Sequence, residues 1–243
     1  MRDLLSTPIK AESLKEVFVS RFEKLILSGN LSIGEKLPSE RELALQLSVS
    51  RPVVHEGLVE LASKGLITMK PRVGATVNDY RKEGSPDILI SLFEYQDGKL
   101  DPKILKSILS MRVVFEVETA KEAAINRTDE QIAEFEEILK KEKATDINNI
   151  EALANIDFDF HHLITMATDN MIYPLIINSM RMIYTNLSKQ FFSYPGVVSK
   201  TFSFHQEIFQ AIKEKNEKLA VKIMTKILKH GEEHLSLMIS SKE

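Results

Sequence analysis

The side chains best suited to metal chemistry lie in residues 157–162, whose sequence is DFDFHH. Asp157 and His161 stand four residues apart, so they share one face if the segment is helical. A carboxylate oxygen and an imidazole nitrogen are plausible ligands for a borderline divalent metal such as zinc. Pairs at this spacing are also common as surface ion pairs, and two residues alone do not decide between these interpretations.

A second candidate is Arg112, which shares a helix face with Leu105, Ile108 and Phe115. An arginine on an apolar face needs a partner, because burying an unpaired charge is costly. Glu116, four residues further on, is the structural candidate for that partner. A carboxylate or phosphate of a bound ligand is the functional alternative, because the guanidinium fork matches the geometry of both groups.

A third group of candidate residues lies between residues 38 and 76. Ser50, Arg51 and His55 stand where a helix would begin, and two further arginines, Arg41 and Arg72, lie nearby. An arginine can form a bidentate pair with the O6 and N7 atoms of guanine. Arginines and the free N–H groups at a helix start can also hold DNA phosphates. The segment is therefore a candidate for binding DNA, and a helical domain with solvated arginines is the alternative.

Helix-capping signals place these residues in a helix-turn-helix. Ser39 and Glu42 have the spacing of a capping box, and Ser50 can cap the next helix, with Pro52 in its first turn. Gly65 ends that second helix. Two capped helices joined by a short turn form the helix-turn-helix pattern. Residues 66–69 and 75–77 then flank a turn that contains Pro and Gly, which predicts the hairpin of a winged helix.

Helical periodicity dominates the remainder of the chain. Residues 11–29 form one helix ahead of the winged-helix segment, and polar residues 81–86 are typical of an interdomain joint. A short helix follows the joint, and the later predicted helices are 101–126, 128–143, 148–168, 171–192, 199–214 and 217–238. The sequence therefore predicts a mainly α protein. Residues 1–80 are predicted to form a winged helix-turn-helix (α/β), and residues 81–98 a linker and short helix. Residues 99–243 are predicted to form an all-α antiparallel bundle of six or seven helices, which serves effector binding and dimerisation.

Composition sets limits on function. The chain has 243 residues and no cysteine, which excludes disulfides and cysteine-based metal sites. It contains no run of 18 apolar residues, and its acidic start is unlike a signal peptide, so we expect a cytoplasmic protein without a membrane partner. The net charge is −3. Residues 1–80 hold 11 basic and 10 acidic side chains, a net of +1, so their basic groups must be clustered if they bind DNA.

The N-terminal stretch resembles the winged-helix domain of the GntR family of bacterial transcription regulators. The resemblance lies in residues 38–41 (PSER), 49–51 (VSR), 65–66 (GL) and the wing glycine, Gly74. The chain departs from the family at His55, which replaces an arginine, at Gly57, which replaces an alanine, and at Arg72, where the wing often has glycine. The candidate DNA-binding residues are Ser39, Arg41, Ser50, Arg51, His55, Arg72 and Gly74.

Residues 81–238 resemble the all-helical effector domain of the FadR subfamily, the FCD domain. Arg112 and Glu116 match its R-x-x-x-E motif, and Asp157 and His161 match its D-x-x-x-H motif. In metal-binding members, the resemblance implies that the ligands are this Asp, this His, a His at position 205 and a fourth His 22 residues later. This chain has Ile227 at the fourth position and His230 one helical turn further on. The metal-ligand candidates are Asp157, His161 and His205.

Other stretches resemble the branch of the subfamily that binds fatty acyl-CoA and lacks the metal set. They are residues 77–80, 84–89 and the segment from 172 to 195. Three alternatives therefore remain. The helical domain binds a divalent metal, it binds an acyl-CoA or other acyl effector, or it binds neither. The candidate effector-binding residues are Arg112, Asp157, His161, Asn170, Tyr184 and His205.

Together these features predict a ligand-responsive bacterial transcription regulator and not an enzyme. It would bind a palindromic operator in double-stranded DNA as a homodimer, with an acyl-CoA or small organic acid as effector, with or without a metal such as zinc. One alternative is a metal-dependent hydrolase that uses Asp157, His161 and His205. Another is a DNA-binding assembly protein that has no ligand.

Overall fold

The computed structural model describes residues 13–95 and 101–240. The chain divides into two compact units, residues 1–99 and residues 100–243, and each unit has its own buried apolar core. The structure confirms the predicted fold class, because the protein is mainly helical and its described residues include a single two-stranded sheet.

The first unit is a winged helix-turn-helix preceded by one helix and followed by two short ones. Its elements are α1 (Leu14–Leu27), α2 (Glu40–Leu47), α3 (Arg51–Ser63), β1 (Ile67–Lys70), β2 (Gly74–Val77), α4 (Tyr80–Glu83) and α5 (Ile88–Tyr95). The two strands are antiparallel, and the pairing of Lys70 with Gly74 closes the wing. This arrangement places α2, α3 and the wing in the order that the sequence predicts.

The caps of the two central helices differ. Ser39 and Glu42 form the predicted capping box at the start of α2, each side chain accepting a hydrogen bond from the backbone N–H of the other residue. Ser50 has the extended backbone of a cap residue, but its side chain makes no capping hydrogen bond. The prediction of a side-chain cap at Ser50 is therefore wrong. Pro52 is part of the reason, because it has no N–H to donate to that hydroxyl.

Close packing of α1 on α3 forms the core of the first unit. Val54, Leu58 and Leu61 of α3 are buried in the same cluster as Phe18 of α1. Gly57 explains how closely the helices approach, since a Cβ at this position would lie 2.3 Å from Cδ1 of Phe18. The departure from the family's alanine at position 57 thus follows from the aromatic ring that α1 places there.

A buried ion pair joins α1 to the end of α3, and a serine of α5 donates to the same carboxylate. Nζ of Lys64 lies 2.6 Å from a carboxylate oxygen of Glu23, and Oγ of Ser91 donates to the same oxygen at 2.8 Å. Glu23 is 5% exposed, so these two partners supply the compensation that a buried carboxylate requires. The segment predicted as an interdomain joint, 81–86, forms α4 and the turn before α5, and Ile88 of α5 belongs to the core of the first unit.

The second unit is a bundle of seven helices within the described residues. They are α6 (Pro102–Asn126), α7 (Asp129–Ala144), α8 (Ile150–Met166), α9 (Tyr173–Ser179), α10 (Arg181–Phe192), α11 (Val197–Lys213) and α12 (Glu217–Ser240). Segment 171–192 was predicted as one helix and is two, because Met180 adopts φ −99° and ψ 5° and interrupts the helical conformation. Within the described part of the chain, no helix is both long enough and apolar enough to cross a membrane.

Helix α8 lies at the centre of the bundle and packs against α6, α7, α9 and α10. Phe158 and Phe160 on this helix are fully buried. Phe160 stacks on the ring of His205 at 4.1 Å between centroids, so the apolar core directly surrounds one of the candidate metal ligands.

Two glycines with positive φ allow a direct test of the turn after α3. Gly65 (φ +74°) and Gly29 (φ +77°) share a left-handed backbone. A Cβ at position 65 would lie 1.9 Å from the backbone oxygen of Glu83, whereas a Cβ at position 29 meets nothing within 4 Å. We expect Gly29→Ala to lower the free energy of unfolding by about 1 kcal/mol, and Gly65→Ala by roughly 3 kcal/mol or more. Denaturant titration measures both, and equal losses would contradict the packing described for Gly65.

Candidate DNA-binding groove and buried histidine cluster

Residues of α2, α3 and the wing line one open groove of about 610 Å³ in the first unit. The lining includes these predicted DNA-binding residues: Ser39, Arg41, Arg51, His55, Arg72 and Gly74. Ser50 is exposed but is not part of the lining. The groove therefore gathers side chains that are separated by up to 35 residues in the sequence.

The groove is more basic than the net charge of residues 1–80 indicates. Arg41, Arg51, Lys70 and Arg72 are all exposed along it, and Glu40 is the one carboxylate among the lining residues. Four cations beside a single anion make a local positive potential, which attracts phosphates even when the whole domain is nearly neutral.

Arg72 stands at the tip of the wing with φ 64°, a left-handed conformation that glycine adopts more readily than any other residue. Such a conformation costs an L-residue roughly 1–2 kcal/mol. An exposed side chain that is kept at this cost points to a role for the guanidinium itself.

The recognition-helix candidate His55 is paired in a way that the sequence does not indicate. Its Nδ1 lies 2.7 Å from Oε1 of Glu40, which is the first residue of α2. The imidazole side chain is 57% exposed, so it remains open to the groove.

In the second unit, Asp157, His161 and His205 come together in the core. Each offers one ligand atom, and these three atoms lie within 4.8 Å of one another. Asp157 and His161 come from α8, and His205 comes from α11. All three side chains are buried, which is unusual for charged or polar groups without a partner or a metal.

A carboxylate behind His205 fixes which ring nitrogen faces the cluster. Nδ1 of His205 donates to Oε1 of the buried Glu142 on α7. Nε2 of His205 has no hydrogen-bond partner among the described residues and lies 3.6 Å from Oδ1 of Asp157. Burial alone would lower the pKa of His205, but the Glu142 carboxylate raises it above the ordinary histidine value. A carboxylate that holds Nδ1–H and leaves Nε2 free is the usual second-layer arrangement of metal-binding histidines.

A second buried carboxylate stands behind His161. Nδ1 of His161 lies 2.6 Å from Oε2 of Glu116, although the angles are not those of a hydrogen bond. Oε1 of Glu116 accepts from Nε of Arg112 at 2.5 Å. Burial would raise the pKa of Glu116, but Arg112 and His161 lower it to about 2. Arg112 thus has the structural partner that its spacing suggests.

Two cavities flank this network, and Arg112 lines both of them. The first has room for little more than one water molecule (about 20 Å³), and its apolar walls include Phe115, Ile177 and Met180, with Arg112 and Tyr184 as polar groups. Nη2 of Arg112 donates to the Tyr184 hydroxyl at 2.7 Å. The second cavity is of similar size (about 30 Å³) and is lined by residues that include Asp157, His161, Ser188, Ile227 and His230.

The structure brings most of the predicted effector residues together and leaves one aside. Arg112, Asp157, His161 and Tyr184 line the two cavities, and His205 completes the cluster. Asn170 is exposed and lines neither cavity; its side-chain oxygen accepts from the backbone N–H groups of residues 172 and 173. Sequence reasoning missed Glu142, because nothing marks it as a partner of a histidine 63 residues away.

The donor set fits a borderline divalent metal. One carboxylate and two imidazoles are ligands that zinc accepts, and the unpartnered Nε2 of His205 is the orphaned atom that a metal would satisfy. His230 lines the neighbouring cavity but does not belong to the three-residue cluster. Within the described residues, the cluster thus supplies three protein ligands, which is the number typical of sites that leave a position for a further ligand.

A winged helix-turn-helix unit with a basic groove, joined to a helical unit with a buried polar site, defines a transcription regulator with separate DNA-binding and ligand-binding parts. The model of bacterial regulatory proteins of the gntR family matches residues 14–77, and the model of the FadR C-terminal domain matches residues 78–238. The chain therefore belongs to the GntR family and carries a FadR-type C-terminal domain.

Curated relatives agree with this assignment. The HTH-type transcriptional regulator Mce2R of Mycobacterium tuberculosis is 35% identical over 53% of this chain and 52% of that protein, so the chain spans about half the length of this relative. The fatty acid metabolism regulator protein of Klebsiella pneumoniae is 26% identical over 82% of this chain and 81% of that protein.

A solved structure shares the fold. The structure of Lar from Listeria monocytogenes is matched over 94% of this chain and 99% of that one, with a TM-score of 0.63 and 15% identity. The family consists of DNA-binding transcriptional regulators and not of enzymes, which decides against the metal-dependent hydrolase.

Two aspartates of α8 provide a matched test of the metal-ligand cluster. Asp157→Asn removes a ligand but keeps a carbonyl oxygen for the Ser188 hydroxyl, which donates to Asp157 at 2.8 Å. Asp159→Asn, two residues away, changes an exposed ion pair with Arg181. We expect zinc to raise the melting temperature of the wild type and of Asp159→Asn by about 5 °C or more, and of Asp157→Asn by much less.

Native mass spectrometry of the same three proteins reports zinc directly. The result that contradicts the metal assignment is either no bound zinc in the wild type, or equal binding by the two variants.

Proposed function

We propose that the protein is a ligand-responsive transcription regulator that binds a palindromic operator in double-stranded DNA as a homodimer. The observation that carries this proposal is the convergence of Arg41, Arg51, His55 and Arg72 on one exposed groove formed by α2, α3 and the wing. A protein whose target is bacterial DNA works in the cytoplasm, and we place it there.

Each groove residue has a role that its position suits. Arg51 and His55 lie one turn apart at the N-terminal end of α3, the end that enters the major groove in helix-turn-helix proteins. Arg51 then reads guanine. Arg41 and the capped start of α2 at Ser39 hold phosphates, while Arg72 and the turn at Gly74 reach the neighbouring stretch of backbone.

The proposal of a homodimer rests on the weak affinity for DNA that we expect of a single copy. Residues 1–80 carry a net charge of only +1, so non-specific attraction to DNA is modest. Two copies on a palindrome present two recognition helices about 34 Å apart, one turn of B-form DNA, and the two sets of base contacts add.

The effector proposal rests on the two cavities beside Arg112. The apolar wall beside Arg112 and Tyr184 has the chemistry to take an acyl group and its carboxylate or thioester, as in a small organic acid or an acyl-CoA. Because the space there is only about 20 Å³, the bundle would have to open to admit such a ligand. One relative, from K. pneumoniae, is named a fatty acid metabolism regulator protein, and that name supports this class of ligand. Asp157, His161 and His205 would hold a divalent metal, which supplies a positive anchor for an anionic ligand group.

Gating requires only that the effector binds one arrangement of the bundle better than another. Its differential affinity then shifts the population of arrangements and the DNA affinity with it. No unfolding is needed for such a shift.

Arg72→Gly separates the DNA-binding role from stability. Glycine accepts the left-handed backbone at position 72, so relief of strain offsets the added freedom of the unfolded chain, and the free energy of unfolding stays equal or rises slightly. Loss of the guanidinium weakens binding to an operator duplex. It also reduces the slope of log affinity against log salt concentration by about the value of one phosphate contact per protomer.

The matched control is Arg81→Ala, which removes the same charge from α4, outside the groove lining. Fluorescence anisotropy at several salt concentrations measures both proteins on a duplex enriched from a random library. Wild-type affinity and an unchanged salt slope for Arg72→Gly would overturn the assignment of the wing to DNA.

A further inference from the structure

The strongest unassigned contact in the first unit is the pair formed by Glu40 and His55. It joins the first turn of α2 to the first turns of α3 inside the candidate DNA groove. Among the described residues, Glu40 is the hydrogen-bond partner found for the His55 ring. Glu40 is 30% exposed and His55 is 57% exposed, so the pair lies open at the surface that would face DNA.

The chemistry of this pair fixes the state of the imidazole. An ionised carboxylate can only accept a hydrogen bond, so Nδ1 of His55 must carry the hydrogen. Nε2 is then the ring nitrogen that remains available for a base. The 2.7 Å contact also restrains the ring, because rotation about the side-chain bonds would break it.

We propose that Glu40 is a positioning residue that orients His55, so that Nε2 of His55 selects one base pair of the operator and does so in a pH-dependent way. This inference rests on the proposed DNA-binding function. It goes further because it names the atom that contacts the base, Nε2 of His55, and the residue that orients it, Glu40.

The selected base follows from the protonation of Nε2. When the ring is neutral, Nε2 is an acceptor and matches the amino group of adenine or cytosine in the major groove. When the ring is protonated, Nε2–H is a donor and matches N7 or O6 of guanine. A base preference that is set at Nε2 of a histidine is therefore expected to respond to pH.

Several charged groups face His55 and act together on this change. Glu40 and Arg41 come from α2, Arg51 comes from α3, and Lys70 and Arg72 come from the wing. The carboxylate of Glu40 is the one in direct contact with the ring. The cations of the groove remain when Glu40 is replaced, so phosphate binding is retained in such a variant.

Glu40 is expected to lower the affinity for DNA while it raises the specificity for one base pair. Its negative charge lies where phosphates would come, so it opposes DNA binding in general. Its contact with Nδ1 restrains His55, so it favours discrimination at one base pair. Loss of Glu40 should therefore strengthen binding to all duplexes while weakening the choice between them, a combination that loss of a phosphate contact does not produce.

The test uses the full-length protein and a random double-stranded DNA library. After selection, duplexes that differ from the enriched sequence at one symmetric base pair are compared at pH 5.5 and pH 8 by fluorescence anisotropy. Glu40→Ala removes the positioning contact and His55→Gln removes the titratable ring. Glu56→Ala is the control, because it removes the same charge from the neighbouring exposed residue, which does not line the groove.

We expect the wild type and Glu56→Ala to discriminate by about fivefold or more at one base pair, with guanine gaining at pH 5.5. Glu40→Ala should bind at least as tightly as the wild type yet discriminate less than about twofold at that pair. His55→Gln should show a base preference that is the same at both pH values. A Glu40→Ala variant with unchanged discrimination, or a wild-type preference that does not respond to pH, overturns the inference. Failure of the wild type to enrich any sequence would instead overturn the proposed DNA-binding function.

Discussion

The second unit depends on a network of charged groups inside its core. Arg112, Glu116 and His161 form one half of the network, and Asp157, His205 and Glu142 form the other. These groups are buried, or largely so at Arg112, and are compensated mainly by one another, so removal of one member leaves another unpaired, at a cost of several kcal/mol. An apolar core would hold these helices together with less risk, and the retention of the network points to a use other than stability.

The network connects five helices of the bundle. Arg112 and Glu116 come from α6, Glu142 from α7, and Asp157 and His161 from α8. Ser188 on α10 and His205 on α11 complete the set of contacts. A metal or an anion that enters this network changes the charge balance of all five helices at once. Under the proposed function, each ligand class considered above would act through the same side chains and so on several helices together.

The first unit uses charge in the opposite way. The cations of its groove are exposed, and apart from the pair of Lys64 with Glu23 the buried side chains beneath them are mainly apolar. Among the described residues, Glu40 is the acidic side chain that lines the groove. A weak overall charge with a basic groove limits non-specific binding and leaves the choice of sequence to a few side chains.

Local signals in the sequence were sufficient for much of this fold. The capping box at Ser39 and the helix starts predicted near residues 101 and 128 agree with the structure, because caps depend on residues three or four apart. The interruption at Met180 was missed, since no Gly or Pro stands there. Pairs between distant residues were also beyond reach: the contacts of Glu142 with His205 and of Glu40 with His55 depend on how whole helices pack, and no local pattern encodes that packing.

Under the proposed function, a ligand that enters the buried network of the helical unit changes the affinity for DNA. The most direct measurement is the Kd of the full-length protein for its selected duplex, alone and with zinc, a long-chain acyl-CoA or a series of short organic acids. We expect at least one of these ligands to change the Kd by about fivefold or more, the usual range of coupling between two sites. The same Kd under every condition would contradict it.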